Sequence, residues 1–468
     1  MNVNVKTYIR HEERSTNIDP DKLLKKTIKS GADEAELFIS NVNARSYVIE
    51  KNRVTSTRES FLFGVGLRVI AGGKVGFAYT TSLNEFDTII KHALKNSKLN
   101  KKLNYTFPDK AKVNKSLVRY SKKIAMITPN TCMEHISKLF DGIRSVNRDI
   151  VLAEGGVAFG QSTIKIANTH GLYHEEKSTF CGAGIFTVLK YDGDRIAAWG
   201  ADVFSRTEIP DFEKLGSQTA TFTVKSKYPV KAEAGLKTLV FQPDAILEVL
   251  EFALIPGFYG DAACRNESMF SNKLNEKIMH ENIYIEDNPE YDAALTISCT
   301  DDEGVPTKKT TLVENGILKN YLFDSYSASE FGSVTTSNGI RGSRGTGNTR
   351  FKTPPAICAR NIMIKAEMQK FDELLKTVKN GILVDAVLGA HTANPATGTF
   401  SINVPQSFLI ENGELTTAVQ PFMAAGQISE ILKKGILVGD NLKPMVGKLS
   451  PVGATLPTIV LYDIPVAT

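Results

Sequence analysis

Residues 299–332 read CTDDEGVPTKKTTLVENGILKNYLFDSYSASEFG, and the pattern inside this stretch sets the class of fold. The runs Thr310–Val313 and Ile317–Phe323 flank Glu314-Asn315-Gly316, whose Asn-Gly pair supplies the two left-handed residues of a tight hairpin. The same chemistry returns where Ser407–Ile410 and Glu414–Val419 flank Glu411-Asn412-Gly413. We read the recurrence as the commonest hairpin chemistry, with a repeated design as the alternative. Ahead of the first hairpin, Asp301-Asp302-Glu303-Gly304-Val305-Pro306 sets carboxylates beside a glycine and a proline, the composition of a polar turn between strands. The alternative, a hard-cation site, lacks the acid spacing of a calcium loop.

Upstream, a strand at Lys237–Gln242 leads through Pro243-Asp244 into the apolar helix AILEVLEFALI, residues 245–255, which Pro256-Gly257 stops. Downstream, residues 333–355 form a long loop rich in Gly, Ser, Thr and Arg. Within it GIRGSRGTGNTR, residues 339–350, could present backbone N–H groups and arginines to an anion, but a mobile loop or hinge is the preferred reading. Closer to the N-terminus, Asp19-Pro20 caps a helix ended by Gly31. Strand-like runs follow at 35–42, 45–54, 61–70 and 74–81, then a helix over Leu83–Asn96. Thr128-Pro129 opens another helix, and the turns Asn168–Gly171 and Tyr191–Asp194 separate long alternating strands. The fold class is therefore α+β, multi-domain, with mostly antiparallel sheets and flanking helices. The divisions expected are an N-terminal α+β domain over 1–97, a solvated lysine-rich linker over 98–127, a middle antiparallel α+β domain over 128–229 and a C-terminal domain over 230–468.

Composition narrows the function. The 468 residues hold 56 Lys+Arg against 51 Asp+Glu, a net charge of +5 that is too mild to indicate a nucleic-acid partner. The cysteines, at 132, 181, 264, 299 and 358, are odd in number and form no C-x-x-C pair, as expected of reduced thiols in the cytoplasm. No apolar run is long enough for a membrane helix, and the first residues lack the apolar core of a signal peptide. There is no G-x-S-x-G elbow, no Walker loop and no G-x-G-x-x-G opening a helix. His-Glu occurs at His11, His174 and His280, but none has a second histidine four or five residues on. His170 and His174 are four apart, yet His170 falls in a turn, so they are not expected to share a metal.

The block 299–332 resembles the TldD/PmbA family's D-D-E-G-x-P, strand, E-N-G, L-K-x-Y pattern. GAHTANPATGTFS, residues 389–401, resembles the family's N-P-x-[ST]-G-x-[FY] turn, FLIENGEL (408–415) its following hairpin, and residues 36–80 its first domain. Catalytic members of the TldD branch carry H-E-x-x-x-H on a helix; the two histidines and a later cysteine hold zinc, and the glutamate is the general base. An i,i+5 pair lies about 140° apart on a regular helix, so such a helix must deform to bring its ligands together. The matching stretch here is AILEVLEFALIPGFYGDAACRNESMFS, residues 245–271, which puts Glu251 and Pro256 at the histidine positions and Phe252 at the glutamate. Near the expected cysteine the chain reads GKLSPVGATLP, residues 447–457, without a thiol. The resemblance therefore implies the PmbA/TldE branch: a non-catalytic subunit with no metal or catalytic residue of its own, which shapes the chamber and peptide groove of a zinc-bearing TldD-like partner. The complex would act on small or unfolded peptides and peptide precursors. Asp302, Glu303, Gly304, His391, Asn394 and Gly398 are the candidate groove or loop residues. Two alternatives stand beside this one: a peptide-binding homodimer without hydrolysis, and a metallopeptidase whose atypical metal site is built from Glu251, His391, Asp302 and Glu303.

Overall fold

A computed structural model describes residues 18–117, 119–342 and 349–468; His11-Glu12 and the loop centre 343–348 lie outside the described residues. Helix α1 (Pro20–Lys29) starts where Asp19 accepts a hydrogen bond from the Lys22 backbone N–H, and it buries Leu24 and Thr27. Strands β1 (Glu34–Glu50) and β2 (Arg53–Ala71) are single long strands. The run 45–54, expected as one strand, is corrected: the chain reverses inside it at Lys51 and Asn52, with φ of 50° and 63°. Strand β3 (Lys74–Thr80) and helix α2 (Phe86–Ser97) complete the first unit.

Residues 98–127 are not a solvated linker. Tyr105, Phe107, Leu117 and Ile124 are buried, and Tyr105 sits edge-on to Phe107 and Tyr326. Apolar side chains spaced among the lysines let the segment lie flat on the fold with its charges outward. Helix α3 (Pro129–Val146) follows, capped by Thr128, then strands β4 (Val151–Asn168), β5 (Tyr173–Tyr191) and β6 (Arg195–Ser205) and helix α4 (Phe212–Lys225).

The first and middle units share one antiparallel sheet in the order β3-β2-β1-β4-β5-β6, because β1 pairs β2 along one edge and β4 along the other. Leu37 is opposite Leu67 on one side and Ala167 on the other. Helices α1 and α2 cover one half, with Leu24 and Ile90 in one cluster with Leu37, Val65 and Leu67; α3 and α4 cover the other, with Leu139 and Phe212 in one cluster with Phe159. The last two helices approach closely because Gly142 and Gly216 face them: a Cβ would lie 2.1 Å from the Glu213 carbonyl or 2.3 Å from that of Leu139.

In the third unit β7 (Gly235–Phe241) leads into α5 (Pro243–Ala253). Strands β8 (Gly381–Leu388), β9 (Thr399–Glu411), β10 (Phe422–Gln427) and β11 (Ile459–Ala467) join β7 in the order β11-β10-β9-β8-β7, and β11 pairs β7 again, closing a ring. A six-stranded mixed sheet includes Tyr284–Asp287, Thr310–Glu314 and Ile362–Lys365. Both Asn-Gly hairpins form, with φ of 51° and 74° at Asn315 and Gly316 and 54° and 82° at Asn412 and Gly413. Helix α5 is buried nearly all round, against Leu239, Phe258, Val384 and Leu456 in one core. No helix among the described residues is long and apolar enough to cross a membrane.

Candidate functional site

Asp244, Leu247, Glu248 and Glu251 recur on α5 at the spacing of one helix face, and that face borders a cavity of about 740 Å³. The facing wall is the large sheet: Tyr47 of β1, Gly156 of β4, Gly182 and Gly184 of β5, Asp202 and Phe204 of β6. Gly156 and Gly184 are cross-strand partners whose missing side chains leave the sheet surface open. Lys443 to Lys448 form the third side. There Lys443 Nζ pairs with Asp244 at 2.6 Å and Lys448 pairs with Glu248. The walls are mainly apolar, so the carboxylates that edge them are poorly solvated. Burial and the neighbouring Asp244 raise Asp202, and burial raises Glu248 despite Lys448; outside the lining, on β8, burial and then Asp244 raise Asp385 to about 6.

Glu251 is 3% exposed and Phe252 7%. Pro256 ends the helical path by opening the 3₁₀ turn Ile255–Phe258. The C-terminal segment does reach this point, since a Cβ built on Gly447 would lie 2.7 Å from the Glu251 carboxylate. The donor set nevertheless does not fit the family's zinc. Of the three helix positions only Glu251 carries a ligand atom, Phe252 and Pro256 offer hydrocarbon, and Gly447 to Pro457 contain no thiol. A catalytic zinc needs three protein donors, and these residues do not supply them.

Asp302, Glu303 and Gly304 lie inside the protein rather than on a groove wall. Asp302 accepts from the Arg341 backbone N–H at 2.7 Å and pairs with Arg350. Glu303 accepts from Arg68 Nη1 at 2.9 Å and from the Ser325 N–H at 2.7 Å. Gly304, at φ 83°, packs on Leu172. Among the described residues of the loop, Arg341 and Arg350 do bind carboxylates, but these are the protein's own, and Arg341 is fully buried. Burial and Glu303 push Asp301 well up; burial and Glu303 likewise raise Asp324 to about 7.

His391 is exposed in the turn Ala390–Thr392. Asn394 folds its own turn, its side chain accepting from the Ala396 N–H at 3.0 Å, and Gly398 is buried on Met269 and Ile428. Buried Asp302 and Glu303 are thus committed to arginines and backbone donors, while His391 faces solvent; these groups do not assemble a metal site with Glu251. Sequence reading missed Glu36 and Arg68, which face each other across β1 and β2 at inward positions. A charge in the inward phase of an apolar strand was the available signal. His170 pairs with Glu34 and Asp109, while His174 turns toward Glu176, so the two histidines do not converge.

Comparison with known proteins adds three domain-level matches. Family models described as PmbA/TldA metallopeptidase domain 1, central domain and C-terminal domain match residues 35–97, 122–227 and 234–468. An uncharacterized protein of Methanocaldococcus jannaschii is 31% identical over 423 residues, 90% of this chain and 95% of that one. A metalloprotease of the same organism is 25% identical over 442 residues, covering 91% and 94% of the two chains. The crystal structure of TldE from Thermococcus kodakarensis superposes with a TM-score of 0.85 at 23% identity, over 96% of this chain and 99% of that one, a likeness of fold.

Proposed function

We propose that this chain, which belongs to the TldD/PmbA metallopeptidase family, is the non-catalytic subunit of a peptidase whose catalytic zinc resides on a TldD-like partner. The observation that carries this reading is the donor set on α5: Glu251, Phe252 and Pro256 stand at the zinc positions, with no thiol in the segment that meets them. The chain retains surfaces suited to handling an extended peptide. Strand β6 is an edge of the large sheet, and Phe186 and Phe204 stand exposed beside the glycine-floored surface of β4 and β5. An extended peptide pairs with such an edge through its backbone and seats alternate side chains on apolar ground, which suits unfolded or small substrates of varied sequence. The five free cysteines accord with a reducing, cytoplasmic setting.

The test is hydrolysis of an unfolded peptide by the purified chain with and without an H-E-x-x-x-H relative from the same cell. Activity is expected only in the mixture. Full hydrolysis by this chain alone overturns the reading, and tight binding of intact peptide with no gain from a partner replaces it with that of a self-sufficient peptide-binding protein.

A further inference from the structure

Away from the α5 cavity, β5 turns two potential metal ligands inward on a strand rather than a helix. In a strand the side-chain period is two, so His174 and Glu176 share a face, while Tyr173, Glu175 and Lys177 point to solvent. Cys299, from the third unit, meets them there. All three are buried, and one ligand atom from each lies within 4.8 Å of the others. His174 Nε2 is 3.4 Å from Glu176 Oε2, and that oxygen also accepts from the Cys299 backbone N–H at 3.0 Å. The Cys299 thiol donates to the Asn114 carbonyl at 3.2 Å, which sets a carbonyl oxygen beside the sulfur as a fourth donor.

We propose that His174, Glu176 and Cys299 bind one divalent zinc ion, with the Asn114 carbonyl or a water as fourth ligand, as a structural pin between the large sheet and the third unit. Bonds of about 2.0–2.3 Å in a tetrahedral set put donors roughly 3.3–3.8 Å apart, so the three groups need to close by about an ångström. Imidazole with thiolate selects a borderline-soft ion over magnesium or calcium. In the metal-free chain burial and the charge of Glu176 push the thiol up to about 11, so it carries its proton. On binding, the S–H bond breaks, the sulfur electron pair forms the S–Zn bond and the proton leaves to solvent. Thiolate and carboxylate then neutralise the ion's two charges. Arg206, near Glu176, and Lys115, near Cys299, oppose the incoming ion, while Lys115 favours the thiolate it requires. None of the three ligands borders the α5 cavity, so the site has a holding role.

The test uses the full chain, stripped with chelator and titrated with Co²⁺ as an optical substitute for Zn²⁺. One equivalent should produce a thiolate-to-cobalt charge-transfer band in the near ultraviolet and intense tetrahedral visible bands, and Zn²⁺ should bleach both. Cys299→Ser should abolish the ultraviolet band, His174→Ala should weaken Co²⁺ binding at least tenfold, and Cys264→Ser, at the exposed thiol, should leave the spectrum unchanged. The wild-type titration is decisive without any variant: no ultraviolet band at one equivalent overturns the proposal, as does a band that survives Cys299→Ser.

Discussion

Arg341 Nη2 donates to Glu36 Oε1 at 2.7 Å, joining residues 305 positions apart with neither side chain reaching solvent. Arg68 grips the same carboxylate with two nitrogens, Nη2 to Oε2 at 2.6 Å and Nε to Oε1 at 2.9 Å, and reaches Glu303 with Nη1. The rings of Phe38 and Phe77 flank the Arg341 guanidinium at 4.8 and 5.7 Å. The large sheet and the third unit are thus clamped by alternating charges in a dry setting, where removing one partner leaves another charge undercompensated.

Arg341→Met keeps most of the volume and deletes the charge, so it should lower stability by about 3–5 kcal/mol. Urea unfolding measures this. A loss below about 1 kcal/mol would mean that Arg68 alone suffices for Glu36.

Burial lifts Asp385 to about 6, from an ordinary 3.8. Between those values the folded chain holds a proton that the unfolded chain has released. The stability this contributes is therefore full below about pH 4 and lost as the pH rises through 6, the opposite of a salt-bridged aspartate. Asp324, raised to about 7, extends the decline to neutrality. Asp385→Asn should flatten the slope between pH 4 and 6 and make the protein more stable at pH 8, by on the order of 3 kcal/mol. Melting temperatures of both chains across pH 4–8 check it; parallel profiles would show that Asp385 does not hold its proton.

The elements that could be read from sequence are those written locally. Asp19-Pro20 marks α1, Thr128-Pro129 marks α3, and each Asn-Gly pair forms the turn its φ values require. The Lys51-Asn52 turn is not legible locally, because it holds no glycine or proline and lysine is an uncommon left-handed residue. The shared sheet depends on β1 pairing with β4 across more than a hundred residues, which no local pattern encodes. At the α5 site the absence of zinc donors was legible residue by residue, whereas the cavity facing it is a product of tertiary packing. His174 and Glu176 lie in a strand that its alternation marks, but the approach of Cys299 from the third unit is a product of tertiary packing.

That missed turn gives a stability test. Lys51 and Asn52 both take φ above zero, which suits an Asn-Gly pair better. Turn geometry alone favours the double change Lys51→Asn and Asn52→Gly by about 1 kcal/mol. The Asn52 side chain, however, accepts from the Leu152 N–H at 2.7 Å. Lys51→Asn alone should therefore give a clearer gain than the pair, and thermal melts of the two variants separate turn strain from the lost hydrogen bond.

Gly398 ends the turn that begins at His391, and two constraints meet there. Its φ is 73°, and a Cβ would lie 2.9 Å from Met269 Sδ and 3.0 Å from Ile428 Cγ2. Its carbonyl also accepts from the Ile428 N–H at 2.8 Å, so the turn cannot back away without losing that bond. Alanine must therefore either strain the backbone or push the methionine, and Gly398→Ala should cost about 1–3 kcal/mol. Met269→Ala in the same chain opens space and should return only the steric part of that loss, leaving the part due to φ. If the double variant is as stable as Met269→Ala alone, the backbone conformation carries no cost and contact alone selects glycine.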